Sequence, residues 1–293
     1  MIFLNRSEID VKKWDDRIQA SAIENIFCYS WYLDAVAENW GAILTDDYRT
    51  LLPVPFTKRL GVKQMYQAAF TREYDIFGTE FNWTDAVGFL SKHVKAIQFR
   101  NSAADLFPNC VIRNHQWLDL SVNYRQHYKE NANRILKKGQ TIFRVEVGSN
   151  IGVLSELFEK YVAGKIESIK SSDLVLLDRL MHVAMKQKTG ELLVAKEEDQ
   201  IVAAGFFLKD KKRITYLKGA ATPAAMKSGV MYFLMDTAFR KYQADYRTFD
   251  FGGSEIPGVA QFFKKFGALD RIYYEYVLDN LPYWFKTLKK ISK

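Results

Sequence analysis

Three strand-length apolar segments, Glu191–Glu197, Gln200–Lys209 and Arg213–Ala220, lie almost end to end, joined only through Lys196–Asp199 and Lys209–Lys212. Connections this short and charged leave room for hairpins and little else, so the three read as an antiparallel meander. A helix over Ala224–Lys241 follows, then strand Tyr246–Phe251, helix Val259–Phe266 and strand Arg271–Leu278. A purely parallel sheet would need a helix after nearly every strand, so this order predicts an α/β fold of the α+β kind, with mixed sheets.

The segments before the meander extend the same unit. Thr141–Val147 reads as a strand, with Gly152–Ala163 and Ser171–Gln187 as helices. Ahead of them, Tyr124–Lys138 reads as a helix that ends at Gly139 with Lys137 and Lys138 in its last turn, as the helix dipole prefers. At 293 residues the chain exceeds what one core usually supports, so two domains are expected, 1–140 and 141–293, with the boundary at this helix. Only 6 prolines and 16 glycines leave little material for a flexible linker. In the first half, Asp10–Ser21 and Tyr29–Asn39 read as helices, the latter with Trp31, Ala35 and Trp40 at near-helical spacing. Arg49–Phe56 reads as a strand whose prolines suit an edge or an end. Thr84–Lys95 reads as a helix, and Ala96–Arg100 and Gln116–Leu120 as strands.

Several classes of function lose ground at once. No stretch reaches the ~20 apolar residues of a membrane helix, and the N-terminus lacks the pattern of a secretory signal, so a cytoplasmic protein is expected. Cys28 and Cys110 stand alone and read as buried thiols. His93, His115, His127 and His182 have no partner at metal-ligand spacing, so no metal is expected. There is no GxSxG elbow, no Walker A loop and no GxGxxG after a strand. The net charge of +8 favours anionic partners: coenzyme A, a nucleotide-linked sugar, RNA or an anionic membrane.

The most informative residues come late. Thr248-Phe249-Asp250-Phe251-Gly252-Gly253-Ser254, then Gly258 and Phe262-Phe263-Lys264-Lys265-Phe266-Gly267-Ala268, resemble the FemABX-like branch of the GNAT superfamily. Its members show a D-F-G-G-S-like turn followed by an F-K-x-x-F-G-like element. Phe27-Cys28-Tyr29-Ser30-Trp31, Phe70-Thr71-Arg72-Glu73-Tyr74 and the helix after Trp117–Ser121 are similar to elements of its N-terminal lobe and connector. The resemblance implies two GNAT-like lobes facing a shared cleft and transfer of an acyl or aminoacyl group onto an amine. The donor it implies is acetyl-CoA or another acyl-CoA, or an aminoacyl-tRNA. No long helical-hairpin arm of the kind some tRNA-using members insert is visible.

Acylation needs a neutral amine, yet a lysine-like amine has a pKa near ~10.4 and only about one in 10³ is unprotonated at neutral pH. A base or water relay must take the proton. Asp250 at a strand end and Glu255 in the glycine-rich turn are the candidate bases; a turn cap is the alternative for Asp250. Gly252 and Gly253 supply positive φ or a close approach to substrate, with Ser254 beside them. Tyr216 alternates with Lys218 and so shares its sheet face, where it could act as an acid toward a leaving group or serve as a core tyrosine. By analogy with GNAT-like folds, the donor's diphosphate is expected at the helix start Thr222–Gly229, with Lys218, Thr222, Lys227, Ser228 and Gly229 as its binding set. That start lacks the fuller R/Q-x-x-G-x-G/A signature of coenzyme A binders. Trp31, Phe70, Arg72 and Lys264 complete the expected acceptor site.

The acceptor expected is an anionic small molecule or a lipid- or sugar-linked envelope precursor. Two other readings stay open: a two-lobed binding protein without chemistry, and an RNA-binding module using the basic helix near residues 124–138, to which tRNA would be a partner. The basic, amphipathic Trp284–Ile291 suits either peripheral contact with an anionic membrane or docking on its own domain.

Overall fold

In the computed structural model the described residues are 1–104, 106–107, 110–165, 171–252 and 256–291. In chain order the first elements are β1 (Ile2–Asn5), α1 (Val11–Ala20), α2 (Ser30–Val36), β2 (Asn39–Leu44), β3 (Leu51–Arg59), β4 (Val62–Met65), α3 (Trp83–His93), β5 (Ala96–Asn101) and β6 (Cys110–Asp119). Then come α4 (Glu130–Gly139), β7 (Phe143–Gly148), α5 (Gly152–Tyr161), α6 (Ser171–Lys186), β8 (Gly190–Glu197), β9 (Gln200–Lys209) and β10 (Arg213–Ala221). The last are α7 (Pro223–Lys227), α8 (Val230–Tyr242), β11 (Thr248–Asp250), α9 (Pro257–Lys264), β12 (Leu269–Asp279) and α10 (Tyr283–Ile291).

Two compact units form. One contains Met1–Arg113 and Ile272–Lys293, the other Asn114–Arg271. This differs from the expected division at 140/141, and two packing facts explain why. Leu136 of α4 is buried in the core built on α8, and Asp236 of α8 accepts from the Tyr128 hydroxyl at 2.9 Å and pairs with Arg125 at 2.8 Å. The basic segment therefore belongs to the second unit. At the other end, β12 pairs antiparallel with β5 from Tyr274↔Asn101 to Asp279↔Ala96, so the C-terminal strand completes the first unit.

In the first unit the strands run β1-β2-β3-β4-β5-β12. Its core joins Trp14 and Ile18 of α1, Leu33 of α2 and Leu90 of α3 to Ile43, Leu52, Val54, Phe99 and Tyr276 of the sheet. Asp10 caps α1 by accepting from the Lys13 amide, and Asn82 with Asp85 forms a capping box on α3. Trp40 lies on β2 rather than on the preceding helix and packs its ring 5.4 Å from Trp14. Pro53 and Pro55 face β2 where β4 has not yet begun to pair, since β4 takes up only Phe56–Arg59. Cys28 is buried, as expected, whereas Cys110 is exposed.

The second unit is a mixed sheet in the order β6-β11-β10-β9-β8-β7, with β10–β11 parallel and the other pairs antiparallel. Phe207, Ile214 and Phe249 face α8, which buries Phe233, Leu234 and Phe239 against them. Helix α5 packs on β9 and β10, and α6 on β8. The helix expected over Ala224–Lys241 is two helices, α7 and α8, because Gly229 takes φ +87° between them. Among the described residues no helix is long and apolar enough to cross a membrane.

Candidate functional site

Strand β10 is the element on which the site is built. It pairs with β11 only through Arg213↔Thr248, Ile214↔Phe249 and Thr215↔Asp250, while its pairing with β9 continues to Ala221↔Ala203. Beyond Thr215 the two parallel strands part, and among the described residues no strand takes up the exposed edge of β10. The residues from Leu217 to Ala221 thus offer roughly 15 Å of strand edge to a ligand.

A β-bulge sits at the point where the strands part. Tyr216 is opposite Phe207 and Lys218 opposite Phe206, so Leu217 is the extra residue. Phe207 and Phe206 point to opposite faces, and so must Tyr216 and Lys218. The expectation that these two share a face is overturned by that one inserted residue. Tyr216 packs with Phe207 and Phe263, at ring distances of 5.6 and 6.4 Å, on the α8 side. Lys218 lies on the α5 side, its ammonium 5.7 Å from the Phe158 ring. Burial raises the Tyr216 pKa and lowers that of Lys218, so the tyrosine keeps its proton while the lysine is the easier of its kind to neutralise. The Tyr216 hydroxyl reaches back to Gly219, where any Cβ would collide with it.

Asp250 ends β11 and is 1% exposed. One carboxylate oxygen accepts from the Gly252 amide at 2.9 Å and lies 3.5 Å from His115 Nδ1. The other lies 3.7 Å from Arg213, whose Nε is 2.9 Å from Asp210. Of the two roles open to Asp250, the cap is the one this geometry displays. Gly252 has φ +74°, and its Cα faces the Tyr216 carbonyl so closely that no side chain fits. The structure thus brings Asp250, Gly252 and Tyr216 together where the strands part. Glu255, Gly253 and Ser254 lie outside the described residues.

The helix start expected to bind the donor is built differently from an open phosphate loop. The Thr222 hydroxyl accepts from the Ala225 amide, and its own amide donates to Val202. The Ser228 amide donates to Ala224 and that of Gly229 to Met226, both closing α7. Gly229 is pressed against Ile135 of α4, and Lys227 is exposed. Lys264 is ion-paired with Asp270 at 2.6 Å, which draws the Asp270 pKa down; Gln116 adds to that through a 3.0 Å bond. Trp31, Phe70 and Arg72 belong to the first unit. There Phe70 gives its carbonyl to the Tyr32 hydroxyl at 2.7 Å, Trp31 packs against Tyr32, and buried Arg72 pairs with Glu73 at 2.9 Å over the Phe27 ring.

Residues 123–265 match the acetyltransferase (GNAT) domain family. A GNAT domain lies in this chain. The fold of the chain as a whole is similar to that of FemX and of a tandem GNAT protein, as solved structures show. FemX superposes with a TM-score of 0.69 at 11% identity, covering 95% of this chain and 98% of that one. The C-terminal domain of a putative lysylphosphatidylglycerol synthetase from Agrobacterium fabrum gives 0.60 at 12% identity, covering 93% and 92%. A tandem GNAT protein from the clavulanic acid biosynthesis pathway gives 0.52 at 10%, covering 94% and 98%. No curated protein matches in sequence. The GNAT domain supports an acyltransferase with an acyl donor as co-substrate.

Two residues of the polar cluster around Asp250, His115 and Arg213, were not singled out from the sequence. Neither is near Asp250 along the chain; register alone gathers them, through Thr248↔Asp119 and Thr215↔Asp250.

Proposed function

We propose that the GNAT domain binds an acyl donor along the open edge of β10 and transfers its acyl group to an amine. The parting of β10 from β11 at the Leu217 bulge carries this reading. The edge of β10 that β11 leaves there suits an extended, amide-bearing arm such as that of coenzyme A. In the reaction the amine nitrogen attacks the acyl carbonyl carbon and a C–N bond forms. The bond to the donor's sulfur or ribose oxygen breaks, and the leaving atom needs a proton. Tyr216, at the point where the strands part, supplies it, and the proton lost by the amine returns to the tyrosine through water. Asp250 positions the turn through Gly252, and Arg213 and His115 hold Asp250.

Coenzyme A thioesters are the first donor class. Aminoacyl-tRNA is the second, favoured by one observation: the amides of Ser228 and Gly229 and the hydroxyl of Thr222 are already engaged in closing and capping α7, which leaves Lys227 as the exposed cation of that segment. A lipid- or sugar-linked envelope precursor is the proposed acceptor, with Lys264 and the Gly252 turn beside it. The likeness to a protein named as a putative lysylphosphatidylglycerol synthetase supports a lipid-linked acceptor.

The test is product formation from acetyl-CoA, a longer acyl-CoA and an aminoacyl-tRNA with amine acceptors, alongside thermal stabilisation by each donor. One donor should stabilise the protein and be consumed, and Tyr216→Phe should lower kcat by roughly 10²-fold while donor binding persists. No stabilisation and no product with any donor would sink the reading. Full activity of Tyr216→Phe would remove the tyrosine from the chemistry.

A further inference from the structure

The start of α10 is built to face something other than its own unit. Phe285 is buried, but Tyr283 is 86% and Trp284 49% exposed. Phe285 also lines a cleft of about 790 Å³ shared with Leu281, Val277, Leu60 and Arg59. Leu60 forms the tip of the β3–β4 hairpin and is 71% exposed, held outward by a left-handed backbone at φ +48°. A lone exposed leucine is ordinary; here Leu60 and Val277, the latter 51% exposed, border one cleft together, with Tyr283 and Trp284 next to its Phe285 along the chain.

The rim of this cleft is basic. Lys58 and Arg59 lead into Leu60, and Lys95 gives its carbonyl to the Asn280 amide beside the cleft. None of these three cations has an ion-pair partner among the described residues. The carboxylate lining the cleft, Asp279, is 3.1 Å from Lys286 and so is already neutralised. Amphipathic aromatic rings settle at the water–lipid boundary, an apolar tip inserts below it, and unpaired cations meet lipid phosphates. A second copy of the chain would bring the same basic rim against itself across a two-fold axis, which like charges oppose.

We propose that the β3–β4 tip and the start of α10 dock the first unit onto an anionic lipid bilayer. The surface is separate from the residues placed in the transfer site, so it stands or fails independently of the donor.

Flotation of the full chain with vesicles of phosphatidylcholine, with and without phosphatidylglycerol, tests it. Binding is expected to the anionic vesicles only and to weaken as salt rises. Leu60→Asp and Tyr283→Ser should each reduce the bound fraction about ten-fold without changing the thermal unfolding midpoint, because these side chains bury little. Equal binding to neutral vesicles, no binding at all, or undiminished binding by both variants would overturn the proposal. Self-association abolished by the same substitutions, without vesicle binding, would put a second copy on this surface instead.

Discussion

A Cβ at Gly219 would collide with the Tyr216 hydroxyl and approach the Ala204 carbonyl to 3.0 Å. The tyrosine ring has little room to yield, being packed on Phe207 and Phe263. Gly219→Ala should therefore cost about 1–3 kcal/mol of stability and displace the hydroxyl, lowering transfer as Tyr216→Phe does. Denaturant midpoints and kcat report the two effects; an unchanged midpoint would mean that the ring is free to move. Glu275 offers a second test at this scale. Burial pushes its carboxyl up, but hydrogen bonds from Arg100 at 2.8 Å and Gln98 at 2.9 Å, with Arg113 at 3.1 Å, outweigh that and hold it below the ordinary glutamate value. A depressed carboxyl contributes stability present above its unfolded value of ~4.3 and lost as pH falls through the folded one. Glu275→Gln should thus be less stable at neutral pH and show a shallower loss of stability on acidification below about pH 4. Parallel pH profiles of variant and parent would contradict this.

At the scale of elements, Gly229 separates α7 from α8 and seats α4. Gly229→Ala meets Ile135 and must also hold φ +87°, so a loss of about 2–3 kcal/mol is expected. Adding Ile135→Ala should recover the steric part and leave the backbone part, as thermal unfolding of the single and double variants would show. Full recovery would assign the whole effect to Ile135. These elements also show what the sequence discloses. The β8–β9–β10 meander was legible because its connections are too short for anything but hairpins, and Gln200–Lys209 is placed to the residue. The four-residue strands Ile2–Asn5 and Val62–Met65 were not, since so few residues carry no period. Trp40 was drawn into a helix by its spacing from Trp31, though Ala37 ends that helix with extended backbone. The Leu217 bulge left no mark in the sequence: alternation predicts a shared face for Tyr216 and Lys218, and only pairing with β9 reveals the extra residue. For the same reason the motif around Asp250 was readable while its neighbours His115 and Arg213 were not.

At the scale of the whole chain, the first unit is discontinuous. It takes β12 from the C-terminus, with Tyr276 buried against Phe99 at a ring distance of 5.2 Å. Sequence division at 140/141 missed this because nothing local marks a strand that pairs with a partner some 180 residues away, as Leu278 does with Ile97. Ending the chain after Arg271 should unfold the first unit by baring β5, leaving amide exchange at Ile97–Asn101 fast while Leu192–Leu208 of the second unit stays protected. Slow exchange at Ile97–Asn101 in the shortened chain would show that β12 is dispensable. The central claim is that an acyl donor lies on the open edge of β10. Amide exchange at Leu217–Ala221 tests it most directly, measured alone and with acetyl-CoA, a longer acyl-CoA and an aminoacyl-tRNA in turn. Slowed exchange at these residues with one of the three is the predicted result. Unchanged exchange there with all three, or slowing confined to other segments, would contradict the account.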